Sequence, residues 1–298
     1  TYYSRRVTCI ITTRGCPNRC SYCFAAIDSK RNALNKGRYY RTHDPDKVVE
    51  EIVYLVDKYK IHGFRIEDIE FCVHKAYVQE LCNKIIEAKL NYLKWRCVAR
   101  ADTVDEDLLR IMKNAGCVSV YYGVEFGDQG ILEKSNKKIR IEEIQKTFEL
   151  TRKTGIQADS SFLFGMPGET RYTINKSVKL AIKLNPGVST FHVLAPYMGT
   201  TLLNNIKNKE DINIDDFDVY TGSSSGFSCC DLSSNELKRL SNLAYLKFYL
   251  RPSYLLKLLI RLRESDFRCF VYDAILGVKE AGWVRNLLFP NLGRMRKP

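Results

Sequence analysis

The segment that decides the fold reads TTRGCPNRCSYCF, residues 12–24. It follows an apolar run with β-strand character, residues 7–13, and its cysteines have the spacing C-x3-C-x2-C. Three thiolates on one short loop hold three irons of a 4Fe–4S cluster and leave the fourth iron to a ligand from outside the protein. We therefore expect Cys16, Cys20 and Cys23 to form a metal centre directly after the first strand.

A structural zinc site is the alternative, because zinc also prefers thiolate ligands. Such a site needs a fourth Cys or His at matching spacing. The nearest histidine beyond the loop is His43, twenty residues after Cys23, and no second C-x2-C pair follows. The spacing therefore favours an iron–sulfur cluster over zinc.

The composition is that of an ordinary globular protein. The 298 residues are 45% apolar and 27% charged, which is typical of such chains. Eleven cysteines are an odd number, and most lie inside regular apolar patterns, which argues against a disulfide scaffold. No apolar stretch is long enough to span a bilayer. We therefore expect a cytoplasmic protein.

The net charge of +13 indicates an anionic partner, whether nucleic acid, a membrane surface or a phosphorylated substrate. Ten Lys or Arg and four Asp or Glu lie in residues 251–298. Solvated helix faces and this basic tail explain the charge equally well. The tail is also apolar, and we expect contact with a lipid surface or a hydrophobic substrate there.

From residue 7 to residue 196 the pattern alternates short apolar runs with amphipathic helices. The predicted strands are residues 7–13, 63–67, 92–99, 118–124, 156–164 and 188–195. This alternation predicts a parallel α/β sheet, and both a doubly wound sheet and a partial barrel fit it. In either architecture the active residues gather at the carboxyl ends of the strands.

Three regions follow from the same pattern. Residues 1–197 form the α/β barrel region, residues 198–230 a polar connecting segment, and residues 231–298 a helical, basic region. The last region begins with the sequence SSNE, residues 233–236, which is a capping-box pattern.

The cysteine loop resembles the cluster loop of radical S-adenosylmethionine (SAM) enzymes. Within that superfamily the chain is most similar to the branch that usually carries an N-terminal cobalamin-binding domain, which includes anaerobic magnesium-protoporphyrin ester cyclases and many methylases. The resemblance extends to the sequence FYLRP, residues 248–252. It implies a partial (β/α)6 barrel of the TIM type, with the cluster on Cys16, Cys20 and Cys23. It also implies that the amino and carboxylate groups of SAM chelate the fourth iron.

Two further segments resemble motifs that bind the methionine part of SAM. In FRIEDIEF, residues 64–71, Asp68 corresponds to an acid that faces the SAM amino group. Ile69 stands where many relatives have a second acid, and Glu70 is displaced from that place by one residue. In WRCVARAD, residues 95–102, Arg100 corresponds to an arginine that meets the SAM carboxylate. The alternatives are a loop carboxylate for Asp68 and a salt bridge at the barrel rim for Arg100.

The nucleoside part of SAM has its own candidates. In GVEFG, residues 123–127, the resemblance implies ribose contact by Glu125. Phe162, in SFLFGMPGE (residues 161–169), and Tyr22 are the candidates for contact with the adenine. Both aromatic side chains fit equally well as plain core.

The resemblance implies reductive cleavage of SAM to a 5′-deoxyadenosyl radical that abstracts hydrogen from a substrate C–H bond. The resemblance also implies a flavodoxin or ferredoxin as the source of the electron. The reaction that it implies is a cobalamin-linked methylation or cyclisation of a small or lipid-like molecule. An RNA-modifying radical SAM enzyme is one alternative, which the basic charge favours and the lack of an RNA-recognition motif opposes. A non-catalytic interaction module stabilised by a metal is the other.

Overall fold

A computed structural model describes residues 6–27, 40–206 and 227–257. The strands of its main sheet are β1 (Val7–Ile10), β4 (Gly63–Ile66), β5 (Lys94–Ala99), β6 (Cys117–Glu125), β7 (Gln157–Phe164) and β8 (Ser189–Val193). All neighbours are parallel, in the order β1-β4-β5-β6-β7-β8. Each strand therefore lies beside the next one along the chain, without the reversal of order that marks a doubly wound sheet. The partial barrel is confirmed.

Helices connect the strands and cover the sheet. They are α1 (Pro45–Tyr59), α2 (Lys75–Glu87), α3 (Glu106–Asn114), α4 (Gln129–Lys134), α5 (Ile141–Lys153), α6 (Arg171–Leu184), α7 (Thr201–Asn205) and α8 (Ser234–Tyr249), with a 3-10 turn at Phe71–Val73. The predicted N-cap of α8 is confirmed, since the Ser233 hydroxyl accepts from the Glu236 amide at 3.3 Å, whereas the Glu236 carboxylate binds Arg171. Helix α3 ends before Gly116, whose φ of 99° is left-handed and whose added Cβ would lie 2.3 Å from the Leu93 carbonyl oxygen. Neither α4 nor α7 was predicted.

The first strand is shorter than predicted. Strand β1 ends at Ile10, and Thr13–Arg14 instead forms strand β2, antiparallel to β3 (Arg41–Thr42). The cause is Asp68, which accepts hydrogen bonds from the amides of Thr12 and Thr13. Those two amides are then unavailable to continue the ladder with β4, so the chain turns away before the cysteine loop.

The core is an apolar layer between the sheet and the helices. Its largest enclosed side chains include Trp95, which stacks on Phe64 with ring centroids 6.0 Å apart and meets Phe71 edge to face. Burial of such aromatic side chains is the main stabilising contribution in a domain of this size. This layer fixes the strands whose carboxyl ends carry the candidate site.

Helix α8 packs along the free edge of β8. The Ser241 hydroxyl donates to the Phe191 carbonyl at 2.7 Å, and the Phe191 amide donates to the Tyr245 hydroxyl at 3.1 Å. The Tyr249 hydroxyl accepts from the Ser189 amide at 3.1 Å and donates to the Ser189 carbonyl at 2.9 Å. The backbone groups that β8 would offer to another strand are therefore bonded to side chains of α8.

The predicted regions are only partly visible. Residues 207–226 of the polar connecting segment and residues 258–298 of the basic tail lie outside the described residues. No helix among the residues that are described has the length and apolar character needed to cross a membrane.

Candidate functional site

The cysteine loop leaves β1 at the carboxyl edge of the sheet. The Cys23 amide donates to the Cys20 carbonyl at 3.2 Å, and the Ala26 amide donates to the Cys23 carbonyl at 3.1 Å. These turns hold the second and third cysteines close together. Cys16 and Cys20 are buried and Cys23 is half-buried. The three sulfur atoms are near enough for each to influence the ionisation of another.

The thiol groups of the loop favour a positively charged ligand. Burial raises the pKa of the Cys16 thiol and raises that of Cys23 to about 11. Metal ligands must be thiolates, so positive charge has to replace the thiol protons. Among the described residues, no three His, Cys, Asp or Glu side chains are placed to hold a single metal ion. A 4Fe–4S cluster is larger than one ion and holds its thiolates further apart, so the three-cysteine loop fits a cluster in its donor chemistry.

Asp68 anchors the segment that enters the loop. Its Oδ1 accepts from the amides of Thr12 and Thr13 at 2.7 and 3.0 Å, and its Oδ2 accepts from the Thr12 hydroxyl at 2.6 Å. The side chain is buried, and both carboxylate oxygens are engaged by the protein. Contact between Asp68 and the SAM amino group stays a prediction.

Glu70 lies beside this anchor with one oxygen unused. Its Oε1 accepts from the Cys72 amide and the Thr103 hydroxyl, at 3.0 and 3.2 Å, and more weakly from the Arg100 amide at 3.4 Å. Its Oε2 is buried and has no partner among the described residues. Burial raises the pKa of Glu70 to about 7.

Two hydroxyl oxygens near Glu70 are also buried without a hydrogen-bond partner among the described residues. In the part of the chain that the structure describes, four buried side-chain oxygens lack a hydrogen-bond partner, and Glu70 Oε2, Thr13 Oγ1 and Tyr40 OH are three of them. Tyr40 lies near Thr13, Glu70 and Asp68, and its hydroxyl approaches that of Thr13 closely enough to interact with it, although the two do not reach hydrogen-bond geometry. We call these three oxygens the acceptor cluster. Buried polar atoms are normally bonded, so the cluster indicates space for a polar ligand beside the cysteine loop.

Arg100 connects the loop to the next element. Its Nη1 lies 3.7 Å from the Cys20 sulfur, and its Nη2 donates to the Lys137 carbonyl at 2.7 Å. Its Nε and Nη2 bind both oxygens of Asp102, at 2.9 and 2.7 Å. The guanidinium therefore supplies positive charge at one cysteine ligand, and its role toward a SAM carboxylate stays a prediction.

Glu125 ends strand β6 in a strained conformation. Its φ is 71°, which non-glycine residues adopt rarely and at a cost, and the register with β7 shifts at this point. Lys137 Nζ lies 3.3 Å from Glu125 Oε1, with both side chains largely buried. Gly123 allows this approach, because its added Cβ would lie 2.3 Å from the same oxygen. The prediction that Glu125 contacts ribose is untested.

The two aromatic candidates differ in their surroundings. Tyr22 packs edge to face on Phe126, with ring centroids 5.9 Å apart, and burial together with the charge of Glu125 raises its pKa well above the ordinary value. Phe162 is fully enclosed and stacks on Phe191 at 5.6 Å. Tyr22 is therefore a buried side chain of the cysteine loop itself, whereas Phe162 lies in the aromatic core. Their contact with adenine is untested.

Sequence reasoning missed Lys137 and Glu169. Glu169 Oε2 accepts from the amides of Gly165 and Met166 at 2.6 and 2.9 Å, which closes the loop after β7. Its Oε1 is buried without a partner among the described residues, and burial raises its pKa to about 7. The acid in GMPGE, residues 165–169, could have been recognised as a loop cap. Lys137 carries no such local signal.

One known protein family matches the region of the chain that carries these residues. The family model described as the Radical SAM superfamily matches residues 10–181, more than half of the chain. The chain belongs to the radical SAM superfamily. It is accordingly an enzyme, and a non-catalytic module is set aside. The match begins at the last residue of β1 and includes the cysteine loop, Asp68, Arg100, Glu125 and Phe162.

Individual relatives agree with the predicted branch. The chain is 29% identical over 248 residues to an uncharacterized methyltransferase of Pyrococcus horikoshii, covering 83% of this chain and 52% of that protein. It is 27% identical over 296 residues to an anaerobic magnesium-protoporphyrin IX monomethyl ester cyclase of Rubrivivax gelatinosus, covering 98% and 50%. The chain thus spans about half the length of these curated relatives.

A solved structure supports the same assignment. The radical SAM methyltransferase TsrM from Kitasatospora setae, determined with cobalamin and a [4Fe-4S] cluster bound, matches with a TM-score of 0.59 and 27% identity. The match covers 67% of this chain and 39% of that chain.

Proposed function

We propose that this chain is the catalytic barrel of an enzyme that cleaves SAM reductively and uses the resulting 5′-deoxyadenosyl radical. Cys16, Cys20 and Cys23 would hold the 4Fe–4S cluster. When bound and reduced, the cluster supplies the electron that splits SAM into methionine and the radical. The barrel then aligns a substrate C–H bond with the radical and excludes water.

The observation that carries this proposal is the acceptor cluster beside the cysteine loop. The SAM amino group, whose lone pair is used by the fourth iron, keeps two N–H donors, and the acceptor cluster offers it oxygens without partners among the described residues. A buried acceptor without a donor costs about 1–3 kcal/mol, and a charge-assisted bond removes that penalty. We assign the SAM amino group to Glu70, because the oxygens of Asp68 are already engaged by Thr12 and Thr13.

The remaining candidate residues would balance the charge of the cluster or contact the nucleoside part of SAM. Three thiolates and an iron–sulfur core carry net negative charge, which Arg100 partly offsets, since its Nη1 lies 3.7 Å from the Cys20 sulfur. Ribose contact by Glu125 and adenine contact by Tyr22 and Phe162 belong to the proposal. Lys137 would hold the Glu125 carboxylate in place, since the two side chains form a largely buried ion pair.

We further propose a cobalamin-linked methylation or cyclisation of a small, hydrophobic substrate. The named relatives and the cobalamin-bound TsrM support this. Exposed apolar side chains follow the carboxyl ends of the strands: Ile11, Phe24, Ile69, Tyr197 and Met198. Phe24 and Tyr197 of this group are in contact, edge to face with ring centroids 6.2 Å apart, and apolar side chains at this end of the sheet suit a hydrophobic molecule. An electron-carrier protein and a cytoplasmic location complete the proposal.

Anaerobic reconstitution with iron and sulfide tests the metal centre. We expect a 4Fe–4S EPR signal from the reduced protein that changes shape when SAM is added. Cys16→Ala should lose the SAM-sensitive signal. The control is Cys9→Ala, because Cys9 lies on β1 outside the loop. A signal indifferent to SAM, or one that survives Cys16→Ala unchanged, would refute the proposal.

Titration of Glu70→Gln with SAM tests whether Glu70 binds the SAM amino group. We expect affinity to fall about tenfold to a hundredfold, as for loss of a charge-assisted hydrogen bond. Because the pKa of Glu70 is about 7, binding to the unsubstituted protein should strengthen from pH 6 to pH 8 as the carboxylate forms. This pH dependence should be smaller in Glu70→Gln and unchanged in Glu80→Gln, an exposed control on α2.

A further inference from the structure

A cationic surface lies directly outside the cysteine loop. The Ser21 amide donates to the Ser135 carbonyl at 2.9 Å, and Asn136 Nδ2 donates to the Arg19 carbonyl at 2.7 Å. The segment that follows α4 is thereby joined to the loop on either side of Cys20. Arg19 and Lys138 are exposed at this junction.

Within the part of the chain that the structure describes, the charges at this junction have no ion-pair partner. Residues 11–27 and 134–141 contain no Asp or Glu. Within the described ranges, no carboxylate lies within 4.0 Å of Arg19, Lys134 or Lys138. We call these three side chains the basic junction. A group of exposed cations without acids creates a local positive potential.

A second pair of cations flanks the same loop. Arg14 on β2 lies directly opposite Arg41 on β3, and both side chains are exposed. Like charges opposite each other on paired strands destabilise the pair. Arg14 precedes Cys16 by two residues, so positive charge stands close to the loop at two places along it.

The basic junction is also connected to the cysteine loop by a short series of contacts. Lys138 follows Lys137, whose carbonyl accepts from Arg100, and Arg100 Nη1 lies 3.7 Å from the Cys20 sulfur. A single side chain thus separates the backbone beside Lys138 from a cysteine ligand. Electron transfer weakens steeply with distance, so an external donor is effective on a surface that lies this close to the cysteine ligands.

We propose that Arg19, Lys134 and Lys138 form the docking surface for an acidic one-electron carrier protein such as a flavodoxin. This inference rests on the proposed function, because the electron is required by a cluster on the three cysteines. The carrier is oxidised by one electron and the cluster reduced by one, and no covalent bond changes in this step. Electrostatic complementarity raises the association rate in small, transient redox contacts of this kind.

The test compares two variants of equal net charge. R19E/K138E reverses the basic junction, and K179E/K183E makes the same change on exposed lysines of α6. Both are made in the reconstituted protein, and binding of oxidised flavodoxin is measured at low and high salt. We expect R19E/K138E to weaken binding about tenfold or more at low salt, with little difference at high salt. K179E/K183E should bind as the unsubstituted protein does.

The electron source separates this inference from the proposed function. Cluster reduction by dithionite should be the same in all three proteins, whereas reduction by flavodoxin hydroquinone should slow only in R19E/K138E. Equal flavodoxin binding by both variants would overturn the docking surface. So would tRNA binding that R19E/K138E abolishes while flavodoxin binding is unchanged. Absence of any cluster signal with dithionite in the unsubstituted protein would instead count against the proposed function.

Discussion

Removal of the Asp68 carboxylate should destabilise the cysteine loop and with it the whole barrel. Asp68 is 3% exposed and accepts from two backbone amides and one hydroxyl. In Asp68→Ala the buried amides of Thr12 and Thr13 lose their acceptor. Each such loss costs about 2 kcal/mol, so the free energy of unfolding should fall by about 4 kcal/mol.

Asp68→Asn provides a conservative comparison. The amide oxygen can keep both backbone bonds, and the Thr12 hydroxyl can rotate to accept from the new NH2 group. The free energy of unfolding should then fall by only about 1 kcal/mol. Asp57→Ala, an exposed acid near the end of α1, is the control and should change stability by less than about 0.5 kcal/mol.

Urea unfolding of the three variants, together with SAM titration of Asp68→Asn, gives the result. We expect SAM affinity within about threefold of the unsubstituted protein, because Glu70 rather than Asp68 holds the SAM amino group in our proposal. A much larger loss of affinity at unchanged stability would show that Asp68 itself binds SAM. Equal stability of Asp68→Ala and Asp57→Ala would refute the anchoring role.

Two further predictions concern buried charge. The pKa of Glu169 is raised to about 7 from an ordinary 4.5, so the stabilisation associated with its bound proton, about 3 kcal/mol, is lost as pH rises through 7. Urea midpoints between pH 5.5 and 8.5 should therefore fall less in Glu169→Gln, and parallel pH curves would contradict this. Lys137→Met should cost about 3 kcal/mol by leaving Glu125 without its cation, and adding Glu125→Gln should recover part of the loss. Strictly additive effects in thermal unfolding would show that the two side chains do not interact.

The barrel could be predicted because its signals are local. Alternating apolar runs gave the six strands, and the polar residue after each run fell at the expected edge. Helix α4 was missed, although the structure shows an N-cap at Asp128, which accepts from the Ile131 amide at 3.2 Å. Its six residues are too few to produce a clear apolar stripe.

The roles of the acids could not be predicted from sequence. Asp68 and Glu70 are two residues apart, and sequence gives no sign of which has an unused oxygen. The Thr12 and Thr13 amides decide this from 56 and 55 residues away. Lys137 reaches Glu125 from a loop twelve residues later, and no periodic pattern encodes that contact. Sequence thus gave the positions of the candidates, whereas their free and occupied atoms depend on tertiary contacts.

The bonding of α8 to β8 bears on how this barrel should be produced and handled. A protein cut at residue 197, where the barrel region was predicted to end, would lose Ser241, Tyr245 and Tyr249 and expose the outer backbone of Ser189–Val193. An unprotected parallel edge invites pairing between molecules. Such a fragment would be prone to form insoluble aggregates, so the shortest useful protein has to extend at least through α8.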